Sequence, residues 1–435
     1  MIKQKEFERR RIQLARMTGE GSVVIVRAAP ERIRNNDVHY PYRQHSDFLY
    51  LTGFREPGAM LVLLPEGKAC RSVMFCRERD PTREMWDGPM AGVEGAVEQY
   101  GMDEAHGADQ VGKRMPELLK GNERIYYDLG QDEEFDHQLI GWMNAFRTKA
   151  HRNFQAPDEI IALDHILHDM RLYKSRAELT AMRKSARVAA AAHLRAMEYC
   201  RPGMNEAEIH ALLLHEFTRQ HCEASYQPIV GSGANACVLH YIANRDEMKA
   251  GDLLLIDAGA EYDGYASDIT RTFPVNGRYS AVQRALYEVV LDAQQAAIGN
   301  VSAGRQWDEV HEAAVVAVAS GLLDLGLIKG SLEQALEEES YARYYVHKTG
   351  HWLGLDVHDV GDYQVDGHSR ELEPGMVFTV EPGIYIRPDD ASVDARWRGL
   401  GIRIEDDVVV TREAPEILTA DVPKAPDDIE AAMAA

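Results

Sequence analysis

The strongest constraint on this chain is a layout that occurs twice. Gly251-Asp252-Leu253-Leu254-Leu255-Ile256-Asp257-Ala258-Gly259 and Gly375-Met376-Val377-Phe378-Thr379-Val380-Glu381-Pro382-Gly383 each run glycine, five residues of strand, a carboxylate, one residue and a second glycine. The apolar run Leu253–Ile256 suits a strand buried on both faces, and it ends on Asp257, which places an ionisable group at the edge of a core. Asp263-Gly264, flanked by Tyr262 and Tyr265, supplies the positive-φ pair of a type I′ turn. That turn sets position 257 opposite 270 and makes Asp268 the diagonal neighbour of Asp257 on one face. A register slip of one residue would separate them. On this hairpin alone, ordinary turn and edge aspartates explain the pair as well as a metal does. The second half changes the balance. In GIRIEDD, Ile402 and Ile404 point one way and Arg403 and Glu405 the other, so Glu381 and Glu405 repeat the pattern of Asp257 and Asp268. Two such β-units folded face to face bring four carboxylates to one centre, where mutual repulsion calls for a cation.

The chain of 435 residues is long enough for two domains with full cores, and its 45% apolar and 27% charged content is that of a soluble globular protein. A net charge of −22 argues against a nucleic-acid surface. The cysteines, Cys70, Cys76, Cys200, Cys222 and Cys237, are odd in number and lack CxxC spacing, so a reducing compartment is expected and no disulfide framework. The first residues, MIKQKEFERRRIQLARM, have no apolar core of a signal peptide, and the longest apolar stretch, 313–323, is too short to cross a bilayer. A cytoplasmic location is the expectation.

Strands at 23–26, 60–64, 73–75 and 124–128, with helices near 5–17, 93–100, 113–120 and 133–147, predict a mixed α/β amino-terminal domain over 1–172. The polar segment 34–54 reads as a turn-rich connection. Ser175 with Glu178, and Asn205 with Glu208, are capping boxes that open two helices of a second domain, 173–435. Helices near 280–298 and 307–325 precede the second β half, and residues 421–435 read as a loosely held tail.

Histidine is the remaining ingredient. VHKTGHWLGLDVHD places His347, His351 and His358 close together, at helical spacing but beside Gly350 and Gly354, which disfavour a helix. His240 taken alone reads as a core residue. HExxH, GxSxG and P-loop signatures are absent. Gly231-Ser232-Gly233-Ala234-Asn235-Ala236 matches a dinucleotide fingerprint, but polar residues follow where an apolar helix should pack, so a nicotinamide oxidoreductase is a distant alternative.

The segments YRQHSDFLYLTGF, IVGSGANACVLHY, IDAGAEYDGYASDITRTFPVNG, HKTGHWLGLDVHDVGDY, PGMVFTVEPGIYI and GIRIEDDVVVT resemble the aminopeptidase P family of metallopeptidases, over nearly the whole chain. The resemblance implies an α+β, two-domain fold, with a mixed α/β amino-terminal domain and a pita-bread catalytic domain of pseudo-twofold β-halves. It implies metal ligands at Asp257, Asp268, His351, Glu381 and Glu405 holding two divalent ions, with Mn²⁺ favoured by the oxygen-rich set. The implied activity is Xaa-Pro aminopeptidase, in which a metal-bridged hydroxide attacks the carbonyl of residue one. Glu381 would shuttle the proton, with His240 and His358 stabilising the oxyanion and guiding the amide. Tyr226, His347 and Arg403 would shape the proline pocket, Arg403 having the simpler option of orienting Glu405, and Asp37 would assist the substrate's amino terminus. Family members also suggest a homotetramer in which Trp86 reaches a neighbour's site. Lys348-Thr349-Gly350 departs from a more neutral segment before His351, and His368 stands where an arginine is found, which bears on peptide-length preference. The expected partners are peptides with proline second, and no nucleic acid or membrane. The alternatives are a prolidase restricted to dipeptides and an inactive peptide- or protein-binding module of the same fold.

Overall fold

The structure, a computed structural model, describes residues 2–148 and 157–434, which divide into two compact units, Met1–Met170 and Arg171–Ala435. In the amino-terminal unit, strands β1 (Ser22–Arg27), β2 (Met60–Glu66), β3 (Ala69–Cys76), β4 (Glu104–Gly107), β5 (Arg124–Tyr126) and β6 (Glu159–Ile161) form one mixed sheet in the order β4-β3-β2-β1-β5-β6. The β1–β2 and β2–β3 pairs are antiparallel, and the other neighbours are parallel. Val23, Ile25, Val62, Val73 and Phe75 supply a shared core with Met115, Leu119, Phe135 and Leu139 from the covering helices. The polar segment 34–54 is not all connection. Ser46–Thr52 is a helix with every residue buried, ended by Gly53 in the left-handed region. Its polar approach is neutralised locally, since Gln44 Oε1 accepts from Ala29 N at 2.8 Å and His45 N at 2.9 Å.

The carboxy-terminal unit opens as its capping boxes predict, on helices α1 (Arg176–Tyr199) and α2 (Glu206–Arg219). Strands β7 (Ile229–Ser232), β8 (Leu253–Asp257) and β9 (Thr270–Pro274) follow as an antiparallel sheet. Asp257 pairs with Thr270, and Asp263 and Gly264 both take positive φ, as the type I′ reading requires. The second half contains β10 (Val377–Val380), β11 (Gly383–Ile386), β12 (Leu400–Arg403) and β13 (Asp406–Val409), paired as β10–β13 and β11–β12. Backbone and threonine contacts join the halves. Glu405 N donates to Thr270 O at 3.0 Å, and Thr272 Oγ1 donates to Arg403 O at 3.0 Å. The dinucleotide reading fails on topology, because β7 runs antiparallel to β8 and leads into a short 3₁₀ turn, Gly233–Cys237.

The three clustered histidines lie on irregular chain rather than a helix. The reason is close backbone approach, since a Cβ on Gly350 would stand 1.8 Å from Thr379 O. A glycine of the first half is equally tight, with a Cβ on Gly259 falling 1.7 Å from Ser267 O. The carboxy-terminal segment is anchored, contrary to expectation. Pro426–Ala434 is a helix with Ile429 and Met433 in the core, and just before it Pro423 O and Val422 O accept from the buried Arg271.

Candidate metal centre

Ten of the residues singled out from the sequence line one cavity of about 660 Å³ in the carboxy-terminal unit: Tyr226, His240, Asp257, Asp268, His347, His351, His358, Glu381, Arg403 and Glu405. Asp37 is not with them. It lies in the amino-terminal unit, in the exposed turn between the short strands Ile33–Asn35 and Val38–His39.

Each carboxylate is placed by the end of a buried strand. Asp257 closes β8, Glu381 follows β10, Glu405 lies between β12 and β13, and Asp268 sits just before β9. Asp268, His351 and Glu405 each offer a donor atom within 4.8 Å of the others. His351 Nδ1 faces Trp352 O at 3.1 Å, which leaves Nε2 turned to Asp268 Oδ2 at 3.6 Å and Glu381 Oε1 at 3.5 Å. Burial lowers the His351 pKa to about 4, so the ring is neutral and Nε2 carries a free lone pair.

The acids are crowded. Burial, then Asp257 and Asp407, push Asp268 well above the usual carboxylate range; burial, then Asp268 and Glu381, do the same to Glu405. Burial pushes Glu381 up to about 7, with Arg403 opposing. Tyr226 directs its hydroxyl at both Asp257 Oδ1 and Asp268 Oδ1. One hydroxyl proton cannot serve two carboxylate oxygens at once, so the cluster is short of positive charge. Four carboxylates and one neutral imidazole form an oxygen-rich donor set that fits hard divalent cations, and among the described residues no thiol lines the cavity.

Arg403 is the fixed cation of the site. Its Nη2 donates to Asp257 Oδ2 at 2.5 Å, Nε to Thr270 Oγ1 at 3.1 Å and Nη1 to Tyr385 OH at 2.9 Å. It therefore orients Asp257 directly. Glu405, the partner its strand position implies, is reached only through Thr270, whose hydroxyl donates to Glu405 Oε2 at 2.6 Å. His347 Nδ1 donates to Lys348 O at 2.8 Å, so its Nε2 accepts from Tyr385 OH at 2.9 Å. Burial lowers its pKa to about 4, in keeping with that acceptor role.

Residues 180–412 match the model of metallopeptidase family M24, and residues 7–126 match the aminopeptidase P, N-terminal domain. The chain belongs to metallopeptidase family M24. It carries the amino-terminal domain of aminopeptidase P and the two-domain α+β architecture of that group. It is 45% identical over 436 residues to the Xaa-Pro aminopeptidase of Escherichia coli, covering 100% of this chain and 98% of that one. Among solved structures it is similar to Pseudomonas aeruginosa aminopeptidase PepP, with a TM-score of 0.97 and 52% identity over 100% of this chain and 98% of that one. It is also similar to zinc-substituted E. coli aminopeptidase P in complex with product, with a TM-score of 0.96 and 44% identity over the same shares.

In this M24 chain, several residues of the centre escaped the sequence reading. Thr270 and Tyr385 carry the arginine's hydrogen bonds, and Thr379 Oγ1 accepts from His351 N at 3.1 Å and donates to Glu381 Oε1 at 3.3 Å. Asp407 is buried beneath Asp268, accepting from Asp268 N at 3.2 Å, and burial holds it well above the usual carboxylate range. Its neighbour Asp406 is equally buried, but Arg271 and Lys424 outweigh that burial and keep its pKa low. Adjacency in sequence gave no sign of this division. The only available signal was the run of three acids, Glu405-Asp406-Asp407, inside an apolar strand pair.

Proposed function

We propose that this M24 metallopeptidase is an Xaa-Pro aminopeptidase that releases the first residue of peptides with proline second. The observation that carries the reading is the convergence of Asp257, Asp268, Glu381, Glu405 and His351 Nε2 on one cavity, braced by Arg403. The related proteins named above supply the substrate class. These five side chains would hold two divalent ions, with Mn²⁺ preferred because the donors are oxygen-rich. The ions supply Lewis acidity and charge stabilisation when bound.

The chain's own groups perform the rest. Glu381, whose carboxyl sits near neutral before any cation arrives, takes a proton from the attacking water and returns it to the departing proline nitrogen. His240 and His358 face the same cavity and donate to the carbonyl oxygen as charge develops on it. Arg403, Tyr385 and His347 form a hydrogen-bonded wall against which the proline ring packs. Tyr226 directs its hydroxyl at Asp257 and Asp268 and limits their motion. An Xaa-Pro bond has no N–H and a fixed φ, so a site that grips the carbonyl and the ring suits it better than one that grips the amide hydrogen.

The amino-terminal domain, residues 1–172, has the further role of building a homotetramer in the cytoplasm. Trp86 and Met85, each 83% exposed on the helix Pro81–Asp87, and the exposed Asp37 support such contacts. No helix among the described residues is long and apolar enough to cross a membrane.

The test is hydrolysis of an Xaa-Pro-Yaa tripeptide by chelator-stripped protein, with and without added Mn²⁺. Release of the first amino acid only when the ion returns is expected. Cleavage of Xaa-Pro dipeptides alone would make the protein a prolidase, and no cleavage with any divalent ion would overturn the enzymatic reading.

A further inference from the structure

We propose that Lys348 is a specificity-determining residue that selects peptides carrying a negative charge on the residue after proline. The proposal deepens the aminopeptidase reading above and rests on it. Among the described residues, the lysine and arginine side chains that line the cavity are Arg403 and Lys348. Arg403 is already held in place, because each of its three nitrogens donates, to Thr270, Tyr385 and Asp257, and the residue is 3% exposed, so it cannot swing out to follow a substrate. Lys348 is the reverse case. It is exposed, and its ammonium makes no hydrogen bond or ion pair among the described residues.

Its position is nevertheless fixed. On one side, Lys348 O accepts from His347 Nδ1 at 2.8 Å. On the other, Thr349 Oγ1 is held by His311 Nδ1 at 2.7 Å and Tyr345 OH at 2.6 Å. A backbone clamped on both sides presents the lysine stem at the cavity wall, with only the side chain left to move. Lys348 also borders a second cavity of about 520 Å³, which shares Gly350 with the first. Asp308 and Glu312 line that second cavity but form no ion pair with the lysine.

The electrostatics of the main cavity then decide where a peptide's anionic end can go. Four carboxylates occupy one region and repel a substrate carboxylate in any unmetallated part of it. Lys348 is the free cation at the wall, so a tripeptide's terminal carboxylate, or an Asp or Glu side chain at the third position, is stabilised there. The same chemistry comes from either source, and the test separates them.

Ala-Pro-Gly, its carboxy-terminal amide and Ala-Pro-Glu-amide are compared on the Mn²⁺-loaded full chain and on its Lys348→Met variant. The expected wild-type result is a KM lower by roughly threefold to tenfold for a charged peptide than for the neutral amide, with kcat similar. A preference confined to Ala-Pro-Gly identifies the chain terminus as the anion, and one confined to Ala-Pro-Glu-amide identifies the acidic side chain. In Lys348→Met the preference disappears, while turnover of the neutral amide is unchanged. Equal KM values for all three peptides in the wild type, or a preference that survives in Lys348→Met, would overturn the proposal. Failure of the aminopeptidase reading looks different, since no peptide is then cleaved. Calorimetric affinities for Pro-Gly and Pro-Gly-amide, measured on both proteins, then decide the lysine's role by the same criterion.

Discussion

Gly350→Ala should damage the proposed metal centre without replacing any of its proposed ligands. The added Cβ would meet Thr379 O at 1.8 Å and Thr379 C at 2.8 Å, and both are backbone atoms that cannot rotate away. Real Cβ contacts essentially never fall under 3.0 Å, so the two chain segments must separate by more than about 1 Å. Those segments carry His351 and Glu381, and they are tied by Thr379 N to His351 O at 3.0 Å and Glu381 N to Thr349 O at 2.7 Å. Overpacking of this kind costs about 1–3 kcal/mol. For a unit of this size, that lowers Tm by roughly 3–10 °C. Activity should suffer more, because a displacement of about 1 Å in a ligand frame can cost on the order of 10²-fold in rate. The assays are a thermal melt, bound metal per chain after dialysis, and kcat/KM on a tripeptide. Gly141→Ala is the control, since its Cβ would meet nothing within 4 Å inside the helix Glu133–Arg147. The control should be neutral or stabilised by about 0.5–1 kcal/mol. A Gly350→Ala protein that kept its metal content and stayed within about twofold of wild-type kcat/KM would refute the reasoning, because the backbone contact would then not govern the geometry of the ligands.

Three further outcomes follow from the same interactions. Arg403→Lys should lose at least about tenfold in kcat/KM despite keeping its charge, because one ammonium cannot reproduce three donors aimed at Thr270, Tyr385 and Asp257; near-wild-type activity would show that charge alone suffices. In chelator-stripped protein, Glu381 titrates at about 7, above its ordinary value of 4.5, so the folded state holds more protons than the unfolded one between those values. Stability should therefore fall as pH rises through that window, and added Mn²⁺ should remove the slope in melts across pH. His193 behaves oppositely: burial lowers its pKa from 6.5 to about 4, so the unfolded chain binds the extra proton and stability drops as pH falls from 6.5 towards 4. That loss is of the order of 3 kcal/mol, and denaturant midpoints for His193→Leu should show a flatter acid limb.

What the sequence made legible was whatever short-range pattern enforces. The Leu253–Ile256 strand, the Asp263-Gly264 turn and the Ser175 and Asn205 capping boxes each depend on neighbours a few residues away, and each stands where the pattern puts it. The twice-used layout extended that reach, because a repeat of a local pattern implies a repeat of its geometry. What stayed hidden depends on partners far along the chain. Arg403 meets Asp257 across a separation of 146 residues and Thr270 across 133, so strand alternation could give its face but not its partner. The helix Ser46–Thr52 looked like connection because its sequence is polar at the start, yet Gln44 and the backbone around it absorb that polarity.

Histidine shows the limit most sharply. His193 is fully buried and His351 is partly exposed at the cavity, yet desolvation lowers the pKa of both to about 4, so neither composition nor titration separates them. The difference lies in what the second ring nitrogen meets. His193 Nε2 donates to Ala258 O at 2.9 Å, and its Nδ1 is buried with no partner, which makes it a core residue of an alanine-rich helix. In His351, Nδ1 is turned to a backbone carbonyl, and Nε2 points at two carboxylates. What sets the proposed ligand apart is thus the direction of one lone pair relative to carboxylates that the fold brings to it. That direction exists only after Gly350 has let two backbones close on each other. The glycine, and not the histidine, is the position where sequence turns into the geometry of the proposed metal site.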